Sequence, residues 1–284
     1  MKFFITGAQG QLAREFQKIL KNHDHTIVAF DREDLDISDS RAVTEKISEH
    51  NPDVVVNCAS YNLVDKAEED FNTACSVNAS GVRNLAIDCK NKNILLVHYS
   101  TDYIFDGTKE DFYTEEDEPN PINKYGESKL QGEQLLRNET DSFLLFRVSW
   151  VFGKGEKNFL YKLSEWARKN RTLKIVSDQV SVPTYTEDIV NVTLFALHKG
   201  LRGIYHLTNS GYASRYEVAR YFIEQMGMDN LVLPVTSDYF PTPAKRPYFS
   251  AMSNRKLSQD LNVDIPDWRI GIERYIKIMS EKDE

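Results

Sequence analysis

A chain of 284 residues, 41% hydrophobic and 27% charged, is long enough to bury one large α/β core or two lobes. Its formal net charge of −8 argues against a nucleic-acid partner, which would call for a basic face, and no apolar run approaches the ~20 residues of a membrane span. Cys58, Cys75 and Cys89 form no Cys-x-x-Cys and the histidines show no metal-ligand spacing, so neither a disulfide framework nor a zinc site is indicated and a reduced, cytoplasmic protein is expected.

Residues 2–6 predict a buried strand, and Met1-Lys2 leads into it directly, unlike a signal peptide. Gly7-x-x-Gly10-x-x-Ala13 follows and opens a helix running to about Lys21, which is the context a dinucleotide fingerprint requires. Glycine lets the backbone approach a pyrophosphate, and Gln11 and Leu12 begin a helix whose free N–H groups carry partial positive charge. The next apolar run, Ile27–Phe30, ends at Asp31, where an acid accepts a hydrogen bond from the adenosine ribose. Arg32 beside it suits a 2′-phosphate instead. Asp36-Ile37 opens the following loop and would edge the adenine.

Further short apolar runs occur at Val54–Ala59, Ile94–Tyr99, Phe143–Val148 and Leu173–Ile175. Helical patterns around 40–49, 66–89 and 124–138 lie between them. Strands alternating with helices predict βαβ units and a Rossmann-type, doubly wound parallel sheet, so the fold class is α/β. Ser60, Tyr61 and Asn62 follow the Val54–Ala59 strand at its carboxyl end, where ligands sit in such sheets. Cys58 reads as a small core residue. Tyr99-Ser100-Thr101-Asp102-Tyr103 ends the Ile94–Tyr99 strand and delivers Thr101. Glu110 to Pro121 is acidic and proline-bearing, and is expected as an exposed loop.

Tyr125-Gly126-Glu127-Ser128-Lys129 follows that loop. Residues four apart share a helix face, so Tyr125 and Lys129 present a phenol and an ammonium side by side. A cation close to a phenol favours the phenolate and lowers a pKa that is otherwise near ~10. Such a pair makes a general acid once a hydroxyl, Thr101, holds the substrate oxygen.

Beyond about residue 150 the alternation weakens. Asn158–Asn170, Glu187–His198 and Ser214–Met226 read as helices, and Phe240–Pro247 is too proline-rich for regular structure. The division expected is an NAD(P)-binding domain of residues 1–148 with 182–207, and a smaller α/β substrate lobe of 149–181 with 208–284.

Several motifs together carry a resemblance over nearly the full length. They are Gly7-Ala8-Gln9-Gly10-Gln11-Leu12, Val64-Asp65-Lys66-Ala67-Glu68, Ser100-Thr101-Asp102-Tyr103-Ile104-Phe105-Asp106-Gly107, and Tyr125 with Lys129. Arg147-Val148-Ser149-Trp150-Val151, Asp178-Gln179 with Pro183-Thr184, and Tyr239-Phe240-Pro241-Thr242-Pro243 with Arg246-Pro247 complete the set. The chain resembles the extended short-chain dehydrogenase/reductases, and within them the dTDP-4-dehydrorhamnose reductase family. That resemblance implies an NADPH-dependent oxidoreductase, with NADH also accepted, that reduces the 4-keto group of dTDP-4-dehydro-L-rhamnose in nucleotide-sugar synthesis. It implies Tyr125, Lys129 and Thr101 as catalytic residues, with Tyr99, Tyr125 and Lys129 also on the cofactor. Thr101, Asp102 and Trp150 would face the sugar, and Arg246 the dTDP pyrophosphate, which a guanidinium grips bidentately.

A monomer or homodimer is expected, without a membrane or nucleic acid. Some relatives bind magnesium through glutamates; Glu15 and Glu187 occupy plausible positions, but no C-terminal partner is evident and no metal is assigned. Ser181 departs from the glycine usual in the family and puts local loop shape in question. The rival readings are a sugar-nucleotide epimerase or dehydratase of this fold and a non-catalytic NADP-binding regulatory subunit.

Overall fold

The short apolar runs become parallel strands because both of their faces are covered by helices. The structure, a computed structural model, describes residues 1–280. Its strands are β1 (Lys2–Thr6), β2 (Thr26–Phe30), β3 (Val54–Asn57), β4 (Leu95–Thr101), β5 (Phe143–Val148), β6 (Val151–Phe152), β7 (Thr172–Val176), β8 (Val180–Ser181), β9 (Thr184–Tyr185), β10 (Gly203–His206), β11 (Ala213–Ser214) and β12 (Leu231–Val235). The first helices are α1 (Gln11–Lys21), α2 (Ser40–His50), α3 (Val64–Glu69), α4 (Phe71–Cys75), α5 (Gly81–Lys92) and α6 (Lys124–Glu139). They are followed by α7 (Phe159–Lys169), α8 (Thr186–His198), α9 (Arg215–Gln225), α10 (Arg255–Leu261) and α11 (Trp268–Ser280).

One six-stranded sheet has the order β10-β5-β4-β3-β1-β2, every neighbouring pair parallel. The direction of travel reverses between β1 and β3, and the crevice beyond the carboxyl ends at such a reversal is where ligands bind. Alternate residues of β1 feed two cores. Phe3 and Ile5 join Phe16 of α1, Ile189 of α8 and Leu257 of α10. Phe4 joins Val43 of α2, Leu85 of α5 and Leu136 of α6. A third core, with Phe152, Tyr185, Phe222 and Trp268, lies among α7, α9 and α11, beside the two-stranded pairs β11-β8, β12-β7 and β6-β9.

Two expectations need correction. The pattern over 66–89 is not one helix. Asp70 breaks it with non-helical φ −128° and ψ 64°, starts α4 by accepting the Thr73 N–H, and a π-helical turn follows at Ser76–Ser80 before α5. The stretch from Glu110 to Pro121 is not a plain exposed loop either. Tyr113 is buried and stacks on Phe105 at 4.2 Å, while the Glu115 carboxylate accepts the His206 N–H of β10 at 2.7 Å. Its acidity serves a buried backbone donor, which composition does not reveal. The last four residues assigned to the second lobe, 281–284, lie outside the described residues.

Candidate active site

At the turn after β1, Gly7 has φ +67° and a Cβ there would stand 2.8 Å from the Ala59 backbone nitrogen beyond β3. Only glycine accepts both the left-handed backbone and the close approach. Gly10 caps α1 with no side-chain hydrogen bond. Gly10, Gln11, Leu12 and Ala13 instead line a cleft of about 1800 Å³, so the orphan N–H groups and positive end of α1 meet it. This cradle fits a pyrophosphate. Ser60, Asn62 and Tyr99 also line the cleft; Tyr61, Asp31, Arg32, Asp36 and Ile37 do not.

The last four stand at the end of β2. Asp31 accepts the Glu33 and Asp34 N–H groups at 2.9 and 3.2 Å. Arg32 is exposed and 3.7 Å from Asp36, whose carboxyl is held low first by the Ser38 hydroxyl. Ile37 is buried, against the point where a Gly81 side chain would be. Tyr99 turns its ring into the core, its hydroxyl 2.8 Å from that of Thr193. Its carbonyl accepts a hydrogen bond from the Lys129 ammonium at 2.6 Å. Cys58 packs partly buried at the core edge, and burial pushes its thiol well up, away from nucleophile chemistry.

Helix α6 is placed by its first turn. The Asn123 side chain accepts the Gly126 N–H at 2.8 Å, and a Cβ on Gly126 would collide with the Tyr103 carbonyl. This seats Tyr125 and Lys129 at the carboxyl end of β4. Tyr125, Thr101 and Ser60 line the same cleft, and the Thr101 and Ser60 hydroxyls favour the Tyr125 phenolate against the effect of burial. Asn78, on the π-helical turn, joins the same corner: its amide donates to Ser128 of α6 and to the Tyr61 carbonyl, both at 2.9 Å. It went unread in the sequence because a single asparagine in a helical pattern carries no signal.

Lys129 is buried and donates to the Tyr99 carbonyl at 2.6 Å; burial lowers its pKa to about 8 against the pull of Glu133. The phenol departs from expectation. Burial drives the Tyr125 pKa well above the ordinary value, and the groups acting on it are Thr101, Asp102, Tyr103 and Ser60. Asp102 is buried among three hydroxyls, from Thr101, Ser181 and Ser250, and burial raises its carboxyl to about 6.

On the opposite wall, Trp150 has φ +38°, a strained conformation for a bulky residue. The Arg215 guanidinium stands 4.1 Å from its ring centroid and 5.3 Å from that of Phe159. Arg246 lines the cleft, but its fork already grips Asp65 at 2.8 and 3.0 Å. Burial raises the Tyr103 phenol, and the charges of Arg215 and Arg246 both oppose it, so two cations act on one phenol. Arg215 was missed because the first residue of a capped amphipathic helix looks like surface. Glu15 pairs with Lys18 and Glu187 with Arg274, and among the described residues no group of three or more His, Cys, Asp or Glu is arranged to hold a metal ion.

The model of the RmlD substrate binding domain family matches residues 1–281. A dTDP-4-dehydrorhamnose reductase from Burkholderia thailandensis is 36% identical over 96% of this chain and 97% of its own length. A dTDP-4-keto-6-deoxy-D-glucose reductase from Streptomyces niveus is 35% identical over 98% of each. Among solved structures, dTDP-4-dehydrorhamnose reductase from Bacillus anthracis in complex with NADP superimposes with a TM-score of 0.95 at 34% identity, over 98% of this chain and 99% of that one.

Proposed function

The chain belongs to the RmlD substrate binding domain family, and on that premise we propose that it is an NADPH-dependent oxidoreductase reducing the 4-keto group of dTDP-4-dehydro-L-rhamnose to give dTDP-L-rhamnose. The observation that carries this reading is that Thr101, Tyr125 and Lys129 line the same cleft as the uncapped N-terminus of α1. A proton donor and a dinucleotide cradle share one space.

A reduced nicotinamide, when bound, supplies the hydride. The chain's own residues handle charge and position. Gly7, Gly10 and the first turn of α1 hold the pyrophosphate, and Lys129 holds the ribose. Tyr125 gives its proton to the oxygen that gains negative charge, and Thr101 polarises the same carbonyl. A phenol held above its ordinary pKa stays protonated until that charge develops. Trp150 flanks the sugar, and Arg215 with Arg246 takes the diphosphate, since guanidinia match phosphate oxygens. We assign residues 1–148 with 182–207 to cofactor binding and the remainder to the substrate lobe. A cytoplasmic monomer or homodimer is the form we propose.

Purified protein mixed with the keto sugar nucleotide and NADPH should consume the reduced cofactor and yield dTDP-L-rhamnose by NMR. Cofactor consumption without that product would overturn the substrate assignment. A second reading follows from the Streptomyces niveus relative, named for a keto sugar without the rhamnose designation. The same assay with dTDP-4-keto-6-deoxy-D-glucose separates the two. Retention of Thr101, Tyr125 and Lys129 in one cluster favours an enzyme over a regulatory subunit.

A further inference from the structure

Asp102 is a buried carboxylate beside Thr101 and Tyr125, and two of its partners come from far along the chain. Its Oδ2 accepts from Ser181 at 2.9 Å and from Ser250 at 2.6 Å; its Oδ1 accepts from Thr101 at 3.2 Å. All four residues are buried. A short backbone ladder places the two serines: the Val180 N–H donates to the Tyr248 carbonyl at 2.7 Å and the Ser250 N–H to the Val180 carbonyl at 2.9 Å. Ser181 has a weaker alternative acceptor, the Ser250 carbonyl at 3.4 Å.

Proton counting gives this arrangement a consequence. Thr101 has one hydroxyl proton, and its oxygen already accepts the Tyr103 N–H at 3.2 Å. An ionised carboxylate can only accept. While Asp102 is charged it therefore competes with a substrate carbonyl for the Thr101 proton.

We propose that Ser181 and Ser250 are positioning residues that act through Asp102: by donating to Oδ2 they hold the carboxylate so that Oδ1 takes the Thr101 proton, and the ionisation of Asp102 sets whether that proton reaches the substrate. The proposal rests on Thr101 and Tyr125 being the reacting pair. The groups facing Asp102 are hydroxyls from β8 and the Ser250 segment, the Tyr125 phenol from α6, and the Tyr103 phenol, which itself meets Arg215 and Arg246. Burial raises the carboxyl while the hydroxyls oppose it.

The test pairs kcat against pH with an infrared titration of the carboxyl, identified by its loss in Asp102→Asn. In the unaltered protein kcat should rise as pH falls through about 6, as protonation of Asp102 releases the Thr101 hydroxyl. Ser181→Ala and Ser250→Ala should each raise both midpoints by about one pH unit, because each removes a hydrogen bond to the charged form. Asp102→Asn should abolish the inflection. If one serine variant fails to fold, the other decides. Midpoints that stay put, or a carboxyl midpoint that moves while the kcat profile does not, would overturn the positioning role. An unaltered protein that reduces no keto sugar would overturn the functional reading itself, and the infrared arm would still report on the serines.

Discussion

At the end of the cleft beside α1, Gly10 follows β1, Ser60 and Asn62 follow β3, and Thr101 ends β4, with Tyr125 and Lys129 brought beside them by α6. At the end beside α9, Trp150, Arg215 and Arg246 come from three separate segments, with Arg215 over the Trp150 ring and Arg246 held by Asp65 of α3. The first end is assembled by the topology of a parallel sheet, which puts all strand ends on one edge. The second is assembled by convergence of segments far apart in the chain. One is expected to fail in chemistry when altered, the other in recognition.

The largest effect is expected at the first end. Tyr125→Phe should lower kcat by ~10²–10⁴ while leaving the NADPH dissociation constant unchanged, since a general acid acts at the transition state. Turnover within about threefold of the parent would remove Tyr125 from the donor role. Glu133→Gln tests the support beneath that end. Arg147 and Glu133 form a buried pair at 2.8 Å, their side chains 4% and 2% exposed. Removing one charge from such a pair costs about 3–5 kcal/mol, measurable as a lower urea midpoint, and a change under about 1 kcal/mol would mean that water reaches the arginine.

Arg215→Ala addresses the other end. The KM for the dTDP-sugar should rise about tenfold with cofactor affinity unchanged, the size of one lost charge-assisted contact. A parallel loss of NADPH affinity would erase the contrast between the ends. The smallest effect belongs to Arg32. Its exposed guanidinium is worth about 1 kcal/mol to a 2′-phosphate. Arg32→Ala should therefore move the NADPH/NADH ratio of kcat/KM by only about fivefold, and an unchanged ratio would place the preference elsewhere.

The same contrast governs how much was legible in the sequence. The β1 turn, Thr101 and the Tyr125–Lys129 spacing are local patterns whose meaning is fixed by the strand or helix that carries them, and the sheet and its flanking helices followed from apolar periodicity. The ionisation of Tyr125 was not legible, because it depends on burial by groups distant in the chain. Arg215, Ser181 and Ser250 carry no local signature, and their roles arise only when segments meet. Arg246 shows the converse: its motif was readable, but its engagement by Asp65 of α3 was not.

The glycines of α6 bear on how this chain can change in length. Besides Gly126 against the Tyr103 carbonyl, Gly132 lies where a Cβ would collide with the Asn78 carbonyl of the π-helical turn. The two contacts are six positions apart and fix both the rotation and the axial setting of the helix. A residue inserted between them would turn one glycine about 100° off its contact, and one inserted before Lys129 would also carry Lys129 away from Tyr125. Insertions at the exposed Glu110–Asp111 tip meet no such clamp. Natural and engineered variation in length should accumulate at that tip, and the span from Gly126 to Gly132 should keep its count.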